Sequence, residues 1–258
     1  MKRALVTGAT SGIGAAFTRQ LAARGDDLVL VARDETRLQE VAADLRSRYA
    51  VGVEVLAADL SIRSDVDRVA SRITAADQPI TLVVNNAGFG MVNPTLGPDL
   101  IEHDRAWAVM GEAVVVLSHA AGRTMRERGE GQIINVASLA GWITQGHYSA
   151  LKSYVKVYTE GLANELRGTG VTATALCPGW VHTEFHERAN INVRKLPPWV
   201  WVDAETCVRA ALADADAGRV ISLPTWKWKV AGFGLQHLPR TAVRAISRRL
   251  SSIRRPES

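Results

Sequence analysis

The chain has 258 residues, of which 47% are apolar and 22% are charged, so one large core can form without disulfides or metals to hold it together. Two cysteines are too few for a disulfide framework and residues 1–15 lack a secretory pattern, which together predict a cytoplasmic protein. The formal net charge of +5 divides unequally, because residues 226–258 carry +7 and the preceding 225 residues carry −2, so a nucleic-acid-binding face on the folded body is not expected.

Short apolar runs alternate with longer helical patterns along the chain. The predicted strands cover residues 3–7, 27–32, 52–58, 80–85, 132–138, 171–177 and 219–224. The predicted helices cover residues 12–24, 34–49, 62–76, 99–128, 147–168 and 203–217. Most of the strands are rich in Val, Ile and Leu, as expected when both faces of a parallel sheet are covered. The alternation predicts one α/β domain, a Rossmann-like, doubly wound, seven-stranded parallel sheet with helices on both faces.

The first predicted strand runs into the segment TGATSGIG at residues 7–14, which places Gly8, Gly12 and Gly14 on a strand-to-helix turn. Glycines there let the backbone turn tightly and approach a pyrophosphate, whose charge is favoured at a helix N-terminus. No Gly-Lys-Ser/Thr follows, which excludes a P-loop. The spacing therefore predicts a dinucleotide phosphate site.

The second predicted strand ends at Ala32 and is followed by Arg33 and Asp34. An acidic residue at the strand tip would bind a ribose 2′-hydroxyl, whereas an arginine nearby accommodates a 2′-phosphate. Because Ala32 occupies the tip, Arg33 favours NADP(H), with NAD(H) as the alternative. Arg33 is otherwise an ordinary charge at a helix start, and Asp34 would repel a phosphate if its carboxylate pointed inward.

The segment HYSALKSY at residues 147–154 places Tyr148 and Lys152 four residues apart, where side chains on a helix meet. Such a pair also arises by chance and alone does not indicate an enzyme. A phenol ordinarily has a pKa near 10, and a neighbouring ammonium lowers it by favouring the phenolate. The rest of the chain must decide between a solvated helix face and a proton-transfer pair.

Taken together and in chain order, the motifs resemble those of the short-chain dehydrogenase/reductase family over about residues 1–225. The matching segments are TGATSGIG at 7–14, Asp59-Leu60, NNAG at 85–88, Ser138, YSALK at 148–152 and PGWVHT at 178–183. The resemblance implies that Tyr148 is the general acid in reduction and the general base in oxidation, with Lys152 lowering its pKa. It also implies that Ser138 hydrogen-bonds the carbonyl oxygen and stabilises its developing charge.

The resemblance further implies a set of cofactor contacts. Gly8, Ser11, Gly12, Ile13 and Gly14 would hold the pyrophosphate, Asp59 and Leu60 would meet the adenine, and Asn85, Asn86, Ala87 and Gly88 would line the adenosine and ribose side. Val181 and Thr183 would secure the nicotinamide amide and the nearby phosphate, Pro178 and Gly179 belong to the same segment, and Lys152 and Tyr148 also face the cofactor. The NNAG segment would also close a strand structurally.

One departure from the family pattern is Met110, which occupies the position where the family usually has an asparagine that supports a proton relay. Its backbone carbonyl could hold a relay water, but a thioether cannot replace the hydrogen-bonding groups of an amide. Three interpretations stay open: a slower but competent enzyme, an introduced substitution, or an NADP-binding or membrane-associated protein with little turnover.

A second departure is the spacing of ten residues between Ser138 and Tyr148, which is tighter than in many relatives. The shorter connection places Trp142, Gln145 and His147 near the predicted pocket floor. His147 could also be read as a catalytic imidazole, but packing in the pocket wall is favoured.

The longest irregular segment, residues 178–202, predicts a lid whose aromatic side chains cover an apolar pocket or simply pack on the body. The predicted substrate contacts are Phe89, Trp142, His147, Trp180 and Phe185. They favour an apolar or aromatic ketone or aldehyde and its alcohol. No metal site is predicted. The helices at 99–128 and 147–168 form subunit contacts in many relatives, which implies a homo-oligomer, either a dimer or a tetramer.

Residues 226–258 form a separate, basic helical tail. Its side chains Val243, Ile246, Leu250 and Ile253 fall on one helix stripe, with arginines on the other faces. Docking of this stripe on the body or on a second subunit is favoured, and contact with an anionic membrane surface is the alternative. Trp226, Val230 and Phe233 also fall at helical spacing and are predicted to pack.

Overall fold

A computed structural model describes residues 2–91, 93–183 and 197–254, with the side chains of residues 251–254 left out. Phe185, the central part of the predicted lid and the side chain of Ile253 therefore lie outside the described residues. The strands are β1 (Arg3–Thr7), β2 (Asp27–Ala32), β3 (Val53–Ala57), β4 (Leu82–Asn85), β5 (Gly131–Val136), β6 (Val171–Leu176), β7 (Trp180–His182), β8 (Trp201–Asp203) and β9 (Ile221–Ser222). Seven of them form one parallel sheet in the order β3-β2-β1-β4-β5-β6-β9, which confirms the predicted fold class.

Helices cover both faces of this sheet. They are α1 (Gly12–Ala23), α2 (Glu35–Tyr49), α3 (Arg63–Thr74), α4 (Ile101–Trp107), α5 (Ala113–Arg128), α6 (Gly146–Glu165), α7 (Ala204–Asp216), α8 (Trp226–His237) and α9 (Arg240–Arg254). Two short 3-10 turns, Leu139–Trp142 and Pro198–Val200, precede α6 and β8. Among the described residues, no helix is both long enough and apolar enough to cross a bilayer.

The apolar strands supply two core layers because successive side chains point to opposite faces of the sheet. Leu5 and Val29 belong to the layer under α3, α5 and α6, whereas Val6 and Leu30 belong to the layer under α1, α2 and α7. Leu5 is in register with both Val29 on β2 and Val83 on β4. Burial on both faces is why these strands appear in the sequence as near-continuous apolar runs.

The chain passes from β1 to β2 and β3 in one direction along the sheet, and then crosses from β3 to β4 on the other side of β1. The strand order therefore reverses between β1 and β4, and the carboxyl ends of these strands form a crevice. Asn86 and Ala87 donate backbone hydrogen bonds to the Thr7 hydroxyl at 2.9 and 3.0 Å, which fixes the loop after β4 against the end of β1.

Two segments differ from the sequence-based predictions. The helix predicted over 99–128 is interrupted by a π-helical turn at Ala108–Glu112, between α4 and α5. The predicted irregular segment 178–202 begins and ends in a two-stranded parallel sheet, in which Trp180 pairs with Trp201. Both are local departures within the predicted architecture.

The tail packs against the body. Val243 and Ser247 on α9 are fully buried, and the Ser247 hydroxyl accepts a hydrogen bond of 2.9 Å from the backbone N–H of Thr144. Thr144 lies just before α6, so α9 holds the segment that leads into the helix carrying Tyr148.

Candidate active site

A cleft of about 1770 Å³ opens at the carboxyl ends of the central strands. Pockets for a single small ligand usually measure roughly 300–1,000 Å³, so this volume accommodates two molecules side by side. One end is lined by the glycine turn and the ends of β2 and β3, and the other by the segment after β6, by α8 and by α9. Most of the predicted site residues lie between these ends.

The glycine turn has the shape that a pyrophosphate requires. Helix α1 begins at Gly12, and the side chain of its preceding residue, Ser11, makes no capping hydrogen bond. A Cβ atom on Gly14 would lie 2.0 Å from the Gly8 carbonyl oxygen, so only glycine allows the helix to start this close to β1. Gly8, Ser11, Gly12 and Ile13 line the cleft, so that the helix N-terminus faces it with its backbone N–H groups and positive dipole end.

The end of β2 contributes basic side chains to the cleft. Arg33 lines it as predicted, and so does Arg37, which the sequence reasoning missed although it lies one helical turn after Arg33. The Asp34 carboxylate accepts a hydrogen bond of 3.0 Å from the Arg37 backbone N–H, which caps α2. Asp34 lines the cleft as well, and this hydrogen bond ties its carboxylate to the start of α2.

Asp59 and Leu60 lie beside these arginines, at the end of β3. Burial raises the pKa of Asp59, but hydrogen bonds from the Ser61 backbone and hydroxyl, together with the charges of Arg33 and Arg105, outweigh it and hold the pKa below its ordinary value. The carboxylate therefore stays ionised and acts as an acceptor at this end of the cleft.

The NNAG segment divides between cleft and core. Asn86, Ala87 and Gly88 line the cleft, and the Asn86 side chain donates to the Thr7 carbonyl at 2.9 Å. Asn85, also predicted as a cofactor contact, is not among the residues that line the cleft. Its buried amide donates to the Ser118 hydroxyl at 3.1 Å and to Asn135 at 2.8 Å. Successive strand residues point to opposite faces, so Asn85 at the end of β4 faces the helices.

The PGWVHT segment faces the glycine turn across the cleft. Pro178, Gly179, Val181 and Thr183 all line the cavity. The Thr183 side chain lies against Gly12, because its Cγ2 is 3.1 Å from the point where a Gly12 Cβ would be. Residues about 170 positions apart are thus neighbours around one elongated space, in the arrangement that a dinucleotide would bridge.

Ser138, Tyr148 and Lys152 all line the cleft. Lys152 is 5% exposed, its Nζ donates to the Val136 carbonyl at 2.8 Å, and the same Nζ is 5.8 Å from the centre of the Tyr148 ring. Burial lowers the pKa of Lys152 to about 8. A lysine that is buried beside a tyrosine and paired with no carboxylate in any described ion pair is unusual in a structural role.

The loop after β5 brings Ser138 close to these two residues. The Ser138 hydroxyl accepts a hydrogen bond of 3.1 Å from the Ala140 backbone N–H and donates a long one, 3.5 Å, to the Pro178 carbonyl. Gly141 permits the approach, because a Cβ there would lie 3.0 Å from the Lys152 backbone carbonyl. The backbone contact between this loop and α6 therefore fixes where Ser138 stands relative to Tyr148.

Met110 lies beneath the cleft wall. It is 1% exposed, it sits in the π-helical turn, and its Sδ is 3.1 Å from the point where a Gly88 Cβ would be. The neighbouring residue Val109 lines the cleft instead. π-helical turns redirect the groups around them and often occur at functional sites. The Met110 side chain thus packs against the NNAG segment and offers no polar group to the cleft.

Two residues predicted as substrate contacts pack elsewhere. Neither Trp142 nor His147 lines the cleft. Trp142 packs on a small core cluster, with the Lys156 Nζ 5.0 Å from its ring centre. His147 packs against His103 with ring centroids 4.9 Å apart, and burial followed by the His103 charge lowers its pKa. Adjacent helix residues point about 100° apart, so a helix that directs Tyr148 inward directs His147 away.

Phe89 and Trp180, the other two described residues that were predicted as substrate contacts, line the cleft. Gln145, which immediately precedes α6, lines it as well. The side-chain amide of Gln145 is buried and forms no hydrogen bond within the described residues. Such a group is costly to bury without a partner, and it faces the cavity next to Tyr148.

The far wall of the cleft was not predicted, since it comes from the tail. Its members are apolar or small residues of α8, of α9 and of the turn between them: Trp228, Ala231, Gly234, Leu235, Leu238, Ile246 and Leu250. The Trp228 ring lies directly against Gly179, which joins α8 to the PGWVHT segment. The apolar stripe of the tail indicated a contact surface, but the sequence did not show which part of the protein it packs against.

Within the described ranges, no three His, Cys, Asp or Glu side chains are grouped as a metal site requires.

A family model described as "short chain dehydrogenase" matches residues 2–193. Among curated proteins, sulfoacetaldehyde reductase 2 of Chromohalobacter salexigens is 37% identical over 186 residues, which cover 70% of this chain and 73% of that protein.

Two solved structures resemble the whole chain. A short-chain dehydrogenase from Sphingobium yanoikuyae in complex with NADPH is 31% identical, with a TM-score of 0.85 and coverage of 100% of this chain and 98% of that one. A bulky-bulky ketone specific alcohol dehydrogenase from Comamonas testosteroni is 28% identical, with a TM-score of 0.79 and coverage of 100% and 97%. The match to the first structure extends over the tail as well as the sheet.

Proposed function

The chain belongs to the short-chain dehydrogenase/reductase family, and we propose that it is an NADPH-dependent enzyme that interconverts an apolar or aromatic ketone or aldehyde and its alcohol. The observation that carries the proposal is that Ser138, Tyr148 and buried Lys152 line the same cleft as the glycine turn. Oxidoreductase chemistry on alcohol and carbonyl groups is the activity of this family.

In the proposed mechanism the nicotinamide, when bound, supplies the hydride that reduces the carbonyl carbon. The Tyr148 hydroxyl donates the proton that the carbonyl oxygen needs, and it takes one back in the reverse direction. The Lys152 ammonium favours the phenolate that this transfer leaves, because opposite charges attract strongly where water is excluded. The Ser138 hydroxyl donates to the carbonyl oxygen, and the length of its bond to Pro178 means that little is lost when it turns.

The preference for NADPH rests on two arginines. Arg33 and Arg37 line the end of the cleft next to the glycine turn, where a 2′-phosphate would lie. The carboxylates there are Asp34, which caps α2, and Asp59, which accepts hydrogen bonds from Ser61. The solved relative that contains NADPH supports the same choice. NAD(H) is the competing cofactor.

The substrate class rests on the wall that the tail contributes. Aromatic and aliphatic side chains of α8 and α9 line the same cavity as Tyr148. The similar alcohol dehydrogenase is named for bulky ketones, whereas the similar reductase is named for sulfoacetaldehyde, a small anion. A bulky apolar carbonyl suits this wall better, since burying apolar surface is favourable by about 25 cal/mol per Å² and burying an unpaired sulfonate is costly.

A nucleotide-binding protein with impaired catalysis is the second candidate, and the burial of Met110 favours it. No side-chain amide stands at that position to support a water next to Lys152. We rank a slower but competent enzyme first, because a backbone carbonyl of the π-helical turn suffices to hold such a water.

The test is steady-state NADPH oxidation against bulky ketones, diketones, aldehydes and sulfoacetaldehyde, with Met110→Asn measured alongside. Turnover of a bulky ketone by the natural chain supports the proposal. NADPH binding without turnover, rescued by Met110→Asn, would establish the second candidate instead. No turnover and no NADPH binding, in a chain that is folded by circular dichroism, would refute both.

We also propose that two or more copies associate through α4 and α6. Trp107, Tyr154 and Val157 are exposed there, and the Trp107 and Tyr154 ring centroids are 5.2 Å apart. An exposed aromatic cluster of this kind is typical of a subunit contact. Val157→Glu should therefore reduce the molar mass in light scattering to that of one chain.

The buried free thiols Cys177 and Cys207 suit the proposed cytoplasmic location.

A further inference from the structure

Helix α8 exposes a stripe of large apolar side chains. Trp226, Val230 and Phe233 are 70%, 64% and 66% exposed and fall four and three residues apart, on one helix face. The prediction that these three residues pack is therefore wrong. Their positions were predicted from helical spacing, but the side of α8 that packs on the protein is the opposite one, which carries Trp228 and Leu235 into the cleft.

The stripe continues to the mouth of the cleft. Trp199, Leu238 and Ile246 are also exposed, and all three line the cavity. Trp199 is held next to α8, where the Lys227 Nζ donates to its carbonyl at 3.4 Å. We call the six residues Trp199, Trp226, Val230, Phe233, Leu238 and Ile246 the outer patch. An apolar patch of this kind on a protein surface is usually a contact site, and a helix that is apolar on both sides is usually covered on both.

The charge around the outer patch identifies what covers it. Residues 226–254 contain seven Lys or Arg residues and no Asp or Glu. Lys227 and Lys229 alternate with the aromatic residues at the start of α8, and four arginines follow on α9: Arg240, Arg244, Arg248 and Arg249. The occupant must therefore be negatively charged where it meets these side chains and apolar where it meets the stripe.

A second copy of the chain does not meet this requirement. In a two-fold contact the same patch faces itself, so the basic helices would stand against each other. Like charges opposed in this way cost free energy and slow association. An anionic lipid surface supplies both features, because its headgroups attract lysine and arginine while its interface accepts tryptophan and phenylalanine side chains.

We propose that the outer patch docks on an anionic lipid bilayer and that the cleft opens toward it. Helix α8 would lie in the interface with the Trp226, Val230 and Phe233 stripe among the acyl chains, while the basic residues bind the headgroups. An apolar carbonyl compound dissolved in the bilayer then enters between Trp199, Leu238 and Ile246. This entry route rests on the proposed function, but the docking itself does not.

Flotation of the full chain with vesicles tests the docking. Phosphatidylcholine vesicles are compared with vesicles that also contain phosphatidylglycerol, at low and high salt. Phe233→Glu places a carboxylate in the middle of the stripe without touching the cleft. Leu96→Glu is the matched control, since Leu96 is 97% exposed and lies outside the patch.

The natural chain and Leu96→Glu should float with the anionic vesicles and much less with the neutral ones, and salt should weaken the binding. Phe233→Glu should lower the bound-to-free ratio about tenfold. Equal flotation of Phe233→Glu and Leu96→Glu, or equal binding to both kinds of vesicle, would overturn the proposal. So would a fall in the molar mass of Phe233→Glu with unchanged flotation, because the patch would then contact a second copy.

Turnover of a water-soluble ketone separates this result from the proposed function. Phe233→Glu should retain the turnover of the natural chain, since Phe233 lies outside the cleft lining. Anion-dependent flotation without turnover in any variant would uphold the docking and refute the proposed function. Turnover without flotation would uphold the proposed function and refute the docking.

Discussion

The two ends of the cleft differ in how the chain builds them. At the phosphate end, the main contacts predicted from sequence come from segments that follow a strand directly: the glycine turn after β1, Arg33 after β2 and Asp59 after β3. At the substrate end, the wall comes from α8 and α9, which follow the last strand of the sheet. The phosphate end can therefore be anticipated from short motifs, whereas the substrate end depends on where two tail helices dock.

The middle of the cleft joins the two ends, and Tyr148→Phe tests it most severely. The phenylalanine ring fills the same space but has no proton to transfer, so kcat should fall about 10³-fold. The Kd for NADPH, measured by fluorescence titration, should change less than about twofold. Equal losses of binding and turnover would mean that Tyr148 supports the cofactor end rather than the chemistry.

Lys152→Met tests whether burying the Lys152 ammonium in the middle of the cleft lowers the free energy of unfolding. The pKa of Lys152 is lowered from 10.5 to about 8, so below pH 8 the buried ammonium makes folding less favourable by about 3 kcal/mol. Methionine removes that cost and loses a hydrogen bond worth about 1 kcal/mol, which leaves a net stabilisation of about 2 kcal/mol at pH 7. Urea unfolding without cofactor should show this gain together with loss of turnover.

The pH dependence has a defined sign. Between about pH 8 and pH 10.5 the unfolded chain retains the Lys152 proton more than the folded one, so the stability of the natural chain should rise with pH in this window. Lys152→Met should lack this rise. If the natural chain instead became more stable relative to Lys152→Met as the pH was lowered, the assignment of a desolvated ammonium would be contradicted.

Arg33→Ala tests the phosphate end. Loss of a charge-assisted contact to a 2′-phosphate should raise the Kd for NADPH about tenfold, and the Kd for NADH should stay within about twofold. Arg48→Ala is the control, because Arg48 is also on the β2–α2 side but pairs with Asp44 on the exposed end of α2. An equal change for both nucleotides would remove the basis for the NADPH preference.

Leu235→Ala tests the substrate end and should have the smallest effect. Leu235 contributes apolar surface on α8, so its truncation should raise KM for a bulky ketone about fivefold and leave the Kd for NADPH unchanged. A rise in the NADPH Kd instead would show that the tail helices also support the cofactor, and the contrast between the two ends would fail.

The local predictions that succeeded concern groups whose partners lie close in sequence or at the same sheet edge. Tyr148 and Lys152 share a helix face because residues four apart do so on any α-helix. Gly8 and Gly14 meet because one turn links β1 to α1, and the PGWVHT segment reaches them because carboxyl ends of parallel strands lie at one edge.

The sequence did not indicate side-chain directions where these depended on packing. His147 and Trp142 lie next to the catalytic segment in sequence but turn toward His103 and the core cluster, and Asn85 faces the helices rather than the cleft. Trp226, Val230 and Phe233 repeat at helical spacing, yet spacing defines a stripe without saying whether it faces protein or solvent.

By itself the sequence determined the doubly wound sheet, because runs of Val, Ile and Leu buried on both faces leave little choice of architecture. Spacing alone also determined the glycine turn and the placing of Tyr148 and Lys152 on one helix face. Only the tertiary structure decided the π-helical turn around Met110, the second arginine, Arg37, and the wall made by α8 and α9. The physical reason is range: hydrogen bonds and side-chain pairs within one element are fixed by backbone geometry, whereas contacts between distant elements depend on how all the packed surfaces fit together.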